Sequence, residues 1–181
     1  MPESTPAGHK ERSGLSVFVE FVVIFAVAYL LAYALQNFLF GNFEIKQHSM
    51  EPTLYEFDRV FINRLTYRVS DPKRGDIVIL LDPMGSEDDF VKRVIALPGE
   101  VISIRNGETY VNEKKVDEPY ISSDHSVDNM GPLRVPPGKF FVMGDNRPVS
   151  SDSRRFGPIP KENILGKVFV VWWPLAHSRV L

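Results

Sequence analysis

The sequence predicts a mostly β protein: an N-terminal transmembrane helix, then an antiparallel β-sheet domain. Three observations carry that expectation. Residues 17 to 35, VFVEFVVIFAVAYLLAYAL, hold one charge in nineteen positions. Beyond Gly41, seven short runs rich in Val, Ile and Phe recur, and Gly, Pro and Asn-Gly turn signals separate them.

Residues 1–14, MPESTPAGHKERSG, are rich in Pro, Gly, Ser and charge, and offer little to bury; they read as a disordered cytoplasmic tail. The apolar run spans about 28 Å as a helix at ~1.5 Å per residue, a bilayer's hydrocarbon thickness, so residues 15–40 are assigned to a transmembrane helix. Glu20 sits one turn from its start, where it reaches headgroups and favours the helix dipole. A buried core helix, apolar on every face, does not suit so small a protein. A cleavable leader is the stronger rival, because Lys10 and Arg12 precede the run and Ala32-Tyr33-Ala34 has a small-x-small pattern. Against it, the run is long for a leader and continues through Phe38, Leu39 and Phe40. Lys10 and Arg12 compete with Lys46 and Arg59 in setting orientation; a cytoplasmic N-terminus is the reading adopted.

Strands are expected at 59–63, 76–81, 90–95, 101–104, 109–111, 139–143 and 167–172. Asn106-Gly107 between two of them suits the positive φ values of a type I′ hairpin turn. Residues 41–181 thus form one β-rich ectodomain. A polar, proline-bearing excursion interrupts it at about 106–138. At 181 residues the chain has room for one domain with a core and an appendage. A formal charge of −2 leaves no basic footprint for nucleic acid, and the absence of cysteine removes thiol nucleophiles, thiolate metal sites and disulfides. Covalent chemistry here falls to oxygen or nitrogen.

Ser49, in Lys46-Gln47-His48-Ser49-Met50-Glu51-Pro52-Thr53-Leu54, is the candidate nucleophile, and the question is which group takes its proton. His48 is adjacent, and neighbouring side chains of an extended segment point to opposite faces, so it is expected to face away. His9 and His177 lie in tails. His125, with Asp124 and Asp128, fits a solvated acidic loop better than a metal site. Lys92 is the more unusual candidate: alternation puts Phe90, Lys92, Val94 and Ala96 on one strand face, where desolvation lowers a lysine's pKa towards that of a general base. An edge-strand or snorkelling lysine fits the same spacing, which leaves the choice open.

Four motifs in order resemble those of the type I signal peptidases, membrane-anchored serine endopeptidases that remove signal peptides from exported proteins. Ser49-Met50-Glu51-Pro52-Thr53-Leu54 is similar to that family's nucleophile box, and Arg74-Gly75-Asp76-Ile77-Val78 to its R-G-D box. Lys92-Arg93-Val94-Ile95-Ala96-Leu97-Pro98-Gly99-Glu100 resembles the lysine box, and residues 144–154, GDNRPVSSDSR, the last one. The resemblance covers about residues 15–175.

The resemblance implies that Ser49 is the nucleophile and Lys92 its general base, with Ser150 orienting the lysine. Asp152 and Arg154 would form a supporting ion pair, with Arg93 nearby. The backbone N–H of Ser49 would serve the oxyanion hole. Some family members carry a serine two residues before the nucleophile; here Gln47 stands there and is the candidate second donor. Ile45, Met50, Leu54, Phe90 and Val91 match the walls of the pockets for small residues at −1 and −3 of a signal peptide. That peptide would add as a strand near 44–50 and 90–93. Phe43, Phe57, Phe61, Trp172 and Trp173 would offer a membrane-facing surface. The resemblance further implies a monomer in the plasma membrane, single-pass, with its catalytic domain on the outer face and neither metal nor cofactor. A different Ser-Lys protease, such as a self-cleaving repressor, lacks its DNA-binding domain here; a silent binding module on the same fold is the other alternative.

Overall fold

The computed structural model describes residues 14–83, 85, 89–121 and 128–181, without the side chains at 16 and 34–40. The tail at 1–13 and the His125 and Asp124 pair lie outside the described residues. The chain divides into two compact units, one ending at Phe38 and the other Leu39–Leu181.

The first unit contains helix α1, Gly14–Leu39. Its described side chains show no polar face, and Phe18, Phe21, Phe25, Leu30 and Tyr33 all stand exposed. Among the described residues no helix is long and apolar enough to cross a membrane.

The second unit is built from strands β1 (Phe40–Glu44), β2 (Arg59–Asn63), β3 (Ile77–Leu80), β4 (Phe90–Ala96), β5 (Val101–Arg105), β6 (Glu108–Val111), β7 (Lys114–Lys115), β8 (Met130–Arg134), β9 (Lys139–Met143), β10 (Ile159–Pro160), β11 (Ile164–Trp173) and β12 (Arg179–Val180). Two short helices, α2 (Thr66–Val69) and α3 (Ser153–Phe156), join them. The larger sheet runs β1-β2-β11-β3-β4-β9-β10, with β12 also on β11. The smaller sheet runs β7-β6-β5-β8, and every pairing in both is antiparallel.

Both faces of the central strands are buried, which explains why these strands read as continuous apolar runs. On β3, Ile77 and Ile79 enter one core cluster with Ile45, Met50, Leu54 and Val91. Val78 and Leu80 enter a second, with Val94, Phe140 and Val142. A third cluster joins the sheets through Ile95, Ala96, Ile102, Ile104, Phe141 and Met143. On β4 the alternation breaks at a register shift between Val94 and Ala96, so Ala96 leaves the face shared by Phe90 and Val94 for the third cluster.

The hairpin turn falls at Asn106-Gly107, with φ of 52° and 79°. Residues 112–121 and 128–137 are more structured than their polarity predicts. They supply β7 and β8, and Val135 is fully buried. The proline and glycine of Met130-Gly131-Pro132-Leu133-Arg134 hide this strand from sequence reading, because it pairs at a sheet edge where a missing N–H is tolerated.

Candidate active site

Strand β1 leads directly into a tight turn at His48-Ser49-Met50. Met50 and Leu54 are fully buried in the first core cluster, and Leu54 N donates to Met50 O at 2.9 Å. These two side chains fasten the turn from below and leave Ser49 at its apex. From the side, Asn146 N donates to Ser49 O at 3.0 Å, Asn146 Nδ2 to His48 O at 3.1 Å, and Thr53 Oγ1 to Asp145 Oδ2 at 2.5 Å. The loop after β9 therefore holds the turn by its backbone. Gly144 makes the approach possible: a Cβ there would lie 2.3 Å from Ser49 O and 2.4 Å from Ser150 Oγ.

Lys92 projects from the middle of β4, opposite Val78, and is fully buried. Its Nζ lies 2.8 Å from Ser49 Oγ and 2.9 Å from Val91 O, and 4.9 Å from the centre of the Phe90 ring. Burial pushes its pKa down from 10.5 to about 8; Asp152 and Asp145 pull the other way, and Arg154 adds to the lowering. A lysine so placed becomes neutral in a mildly alkaline medium, and a neutral amine at this distance is able to accept a hydroxyl proton. His48 is turned away through the turn, where an extended backbone was expected: it is mostly exposed and bonds Glu51 Oε1 at 2.8 Å.

Several expected residues take other parts. Ser150 is buried, and its Oγ has no hydrogen-bond partner. The expected bond to Lys92 is absent, because Nζ is turned to the Val91 carbonyl and Ser49. Met50 and Leu54 have no exposed surface and pack in the first core cluster. Phe90 packs against Phe156 and the second core cluster, with ring centres 6.4 Å apart. Ile45 and Val91 do line a groove of about 220 Å³, between residues 42–47 on one side and Ile79 and Asp89 on the other. Gln47 lies on its wall.

Asp152 and Arg154 pair as expected, with Arg154 Nε and Nη2 each 2.8 Å from a carboxylate oxygen. Asp152 also accepts from Gly144 N at 3.1 Å and caps α3 through Arg154 N. Arg93 finds a partner that the sequence did not suggest: Nε and Nη2 grip Asp145 at 2.8 and 2.6 Å. The Arg74-Gly75-Asp76 box is structural. Asp76 accepts from Tyr67 Oη at 2.9 Å, Lys73 N at 2.9 Å and Lys167 Nζ at 2.7 Å, while Arg74 pairs with Glu100.

Other functional candidates were illegible because their partners are far away in sequence. Arg147 is buried against Glu118, and His177 lies 2.8 Å from the fully buried Asp58. Of the aromatic residues proposed for a membrane-facing surface, Phe61 stacks on Trp172 at 5.6 Å, and Phe57 and Trp173 are exposed. Phe43 packs against the first core cluster.

Residues 18–173 match the family model described as "Signal peptidase, peptidase S26". The chain is 37% identical over 180 residues to signal peptidase I of Bacillus amyloliquefaciens, covering 94% of this chain and 96% of that protein. It is 38% identical over 172 residues to signal peptidase I S of Bacillus subtilis (strain 168), covering 89% and 92%. A crystal structure of a signal peptidase I from Enterococcus faecalis V583 is 31% identical, with a TM-score of 0.48, and covers 54% of this chain and 97% of that one.

Proposed function

The chain belongs to the signal peptidase family, peptidase S26, and from that premise we propose that it is a serine endopeptidase that removes N-terminal signal peptides from exported preproteins through a Ser49–Lys92 dyad. One observation carries the reading: the 2.8 Å contact between Ser49 Oγ and a lysine with no exposed surface.

The substrate lies extended in the groove beside Ile45 and Val91, bonded backbone to backbone like an added strand. Its volume of about 220 Å³ suits small side chains at −1 and −3. Neutral Lys92 takes the Ser49 proton as Oγ attacks the carbonyl carbon, and the carbonyl oxygen becomes an oxyanion. Ser49 N–H and the Gln47 amide donate to it. Collapse breaks the C–N bond, and the Lys92 ammonium returns its proton to the leaving amine. Water, deprotonated by the same lysine, then opens the acyl-enzyme and frees Ser49. Asp145, Asp152, Arg93 and Arg154 support the loops that carry these groups. Ser150, buried behind Ser49 with a spare hydroxyl, is available to Lys92 as its ammonium forms.

Helix α1 serves as a single membrane anchor, with the N-terminus cytoplasmic, the catalytic unit on the outer face of the plasma membrane, and a monomer as the working form. The apolar surface all around α1 supports this. The test is cleavage of an exported precursor in detergent by wild type, Ser49→Ala, Lys92→Met and His48→Ala, with N-terminal sequencing of the product. Loss in the first two variants but not the third, with cutting after a small-x-small motif, is expected. Survival in Lys92→Met with loss in His48→Ala would move the base to His48. A precursor left intact by wild type would make the protein a binding module.

A further inference from the structure

Behind the dyad stand three arginines, each held by groups from two sides. On the catalytic side, Arg93 grips Asp145, Arg154 grips Asp152, and Arg147 Nε donates to Gly144 O at 3.0 Å. On the other side all three meet the segment between β7 and β8. The Tyr120 ring lies 3.9 Å from the Arg93 guanidinium carbon. Glu118 takes Arg147 Nη2 at 2.5 Å and Nη1 at 3.2 Å, and Asp128 takes Arg154 Nη1 at 2.5 Å. Tyr120 Oη donates to Glu118 at 3.0 Å, and Thr109 Oγ1 accepts from Arg147 at 3.1 Å, which ties the contacts to β6. Arg154 Nη2 reaches Arg147 O at 2.7 Å, so two of the arginines are joined directly.

A polar excursion from a sheet needs none of this. The Arg147–Glu118 pair is nearly inaccessible, at 3% and 7% exposure, and a buried pair is a costly way to fasten a loop. We infer that Glu118, Tyr120 and Asp128 are positioning residues for the Ser49–Lys92 reaction, acting through Arg147, Arg93 and Arg154 to fix the loop at 144–154 and the charge behind the lysine. The inference rests on the Ser-Lys reading above and extends it to a segment outside the four motifs.

The charge consequence has a definite sign. The ionised groups around Lys92 are Asp145 with Arg93 and Asp152 with Arg154, and beyond them Arg147 with Glu118 and Asp128 with Arg154. Neutralising Glu118 or Asp128 leaves positive charge uncompensated behind the lysine, which disfavours its ammonium form. Rate then requires less alkali. Tyr120 acts by packing: its ring restrains Arg93, the residue next to the base.

The experiment is the pH dependence of kcat and kcat/KM for precursor cleavage by the full chain in detergent. Variants are Glu118→Gln, Asp128→Asn, Tyr120→Leu, Tyr120→Phe and, as control, Lys92→Met. Glu118→Gln and Asp128→Asn are expected to move the rising limb of kcat/KM to lower pH, by about half a unit. Tyr120→Leu is expected to lower kcat about tenfold at unchanged KM, and Tyr120→Phe, which keeps the ring, to restore most of it. Rising limbs that coincide with wild type, or move to higher pH, overturn the inference, as does a Tyr120→Leu enzyme with wild-type kcat. If Glu118→Gln does not fold, Asp128→Asn, at a half-exposed carboxylate, decides the charge argument alone. Cleavage surviving in Lys92→Met overturns the Ser-Lys reading itself; its loss there with unshifted limbs in the charge variants overturns only this inference.

Discussion

Arg93 and Asp145 meet in a two-pronged ion pair, 52 residues apart in sequence, with Arg93 next to Lys92. The same carboxylate accepts from Thr53 Oγ1, four residues after Ser49. One buried aspartate thus ties together the strand of the lysine, the turn of the serine and the loop that braces both. Removing one partner strands a buried charge, at a cost of about 3–5 kcal/mol. Asp145→Asn and Arg93→Met are each expected to lower the denaturation midpoint and cut kcat at least about a hundredfold. Chemical denaturation and kinetics on the same preparations check both; a wild-type kcat in either variant would show that the pair only stabilises the fold.

Lys92 gives a pH signature with two readouts. Its pKa in the folded protein lies near 8, below the ordinary 10.5. In the proposed dyad mechanism the amine acts in its neutral form, so kcat/KM is expected to rise through about pH 8 and level above it.

Stability follows from proton counting. Between about pH 8 and 10.5 the unfolded chain holds the lysine proton that the folded protein has shed, so the stability contribution of this group rises with pH across that window. Below pH 8 the folded protein carries the full penalty of a buried ammonium, roughly 3 kcal/mol. Lys92→Met is therefore expected to be inactive and yet more stable than wild type at pH 7, with the gap closing towards pH 10.5. Equal stabilities at pH 7 would mean that the ammonium is well solvated in the folded state.

Leu54 is buried without surface and belongs to the core. Leu54→Ala is expected to cost about 2–5 kcal/mol while leaving the preference among −1 residues unchanged. Ile45→Ala, on the groove wall, is expected to widen that preference towards larger residues. Competition between precursors differing only at −1 measures both; a preference altered in Leu54→Ala would return that residue to the pocket.

Gln47 tests the oxyanion hole. It lines the groove two residues before the nucleophile. If its amide donates to the oxyanion, Gln47→Ala lowers kcat by about 10²–10³ with little change in KM. A wild-type kcat would assign the second donor to the backbone.

What the sequence revealed was local. Asn106-Gly107 announced its turn because two adjacent residues satisfy the backbone on their own. Strands 59–63 and 139–143 matched to the residue, since their apolar runs reflect burial. His48 faces away as expected, but a turn rather than strand geometry puts it there. Distance defeated the rest. The Arg93–Asp145 and Arg147–Glu118 pairs join residues 52 and 29 apart, and each charge is buried only because the other is. Such residues look like solvated surface until the chain is folded. Spacing suggested a buried lysine but did not decide it; ordered motifs did, and those same motifs suggested a Ser150 contact that the structure does not make.

Gly144 leaves the width of one bare backbone between the serine's carbonyl and the Ser150 side chain. The two loops thus work to one shared manufacturing tolerance, with no slack for a methyl group. A library randomised at position 144 should return glycine alone among active clones, whereas position 149, whose valine is largely exposed, should accept nearly any residue. Where the chain may drift over generations, and where it is held to a single solution, changes within five residues.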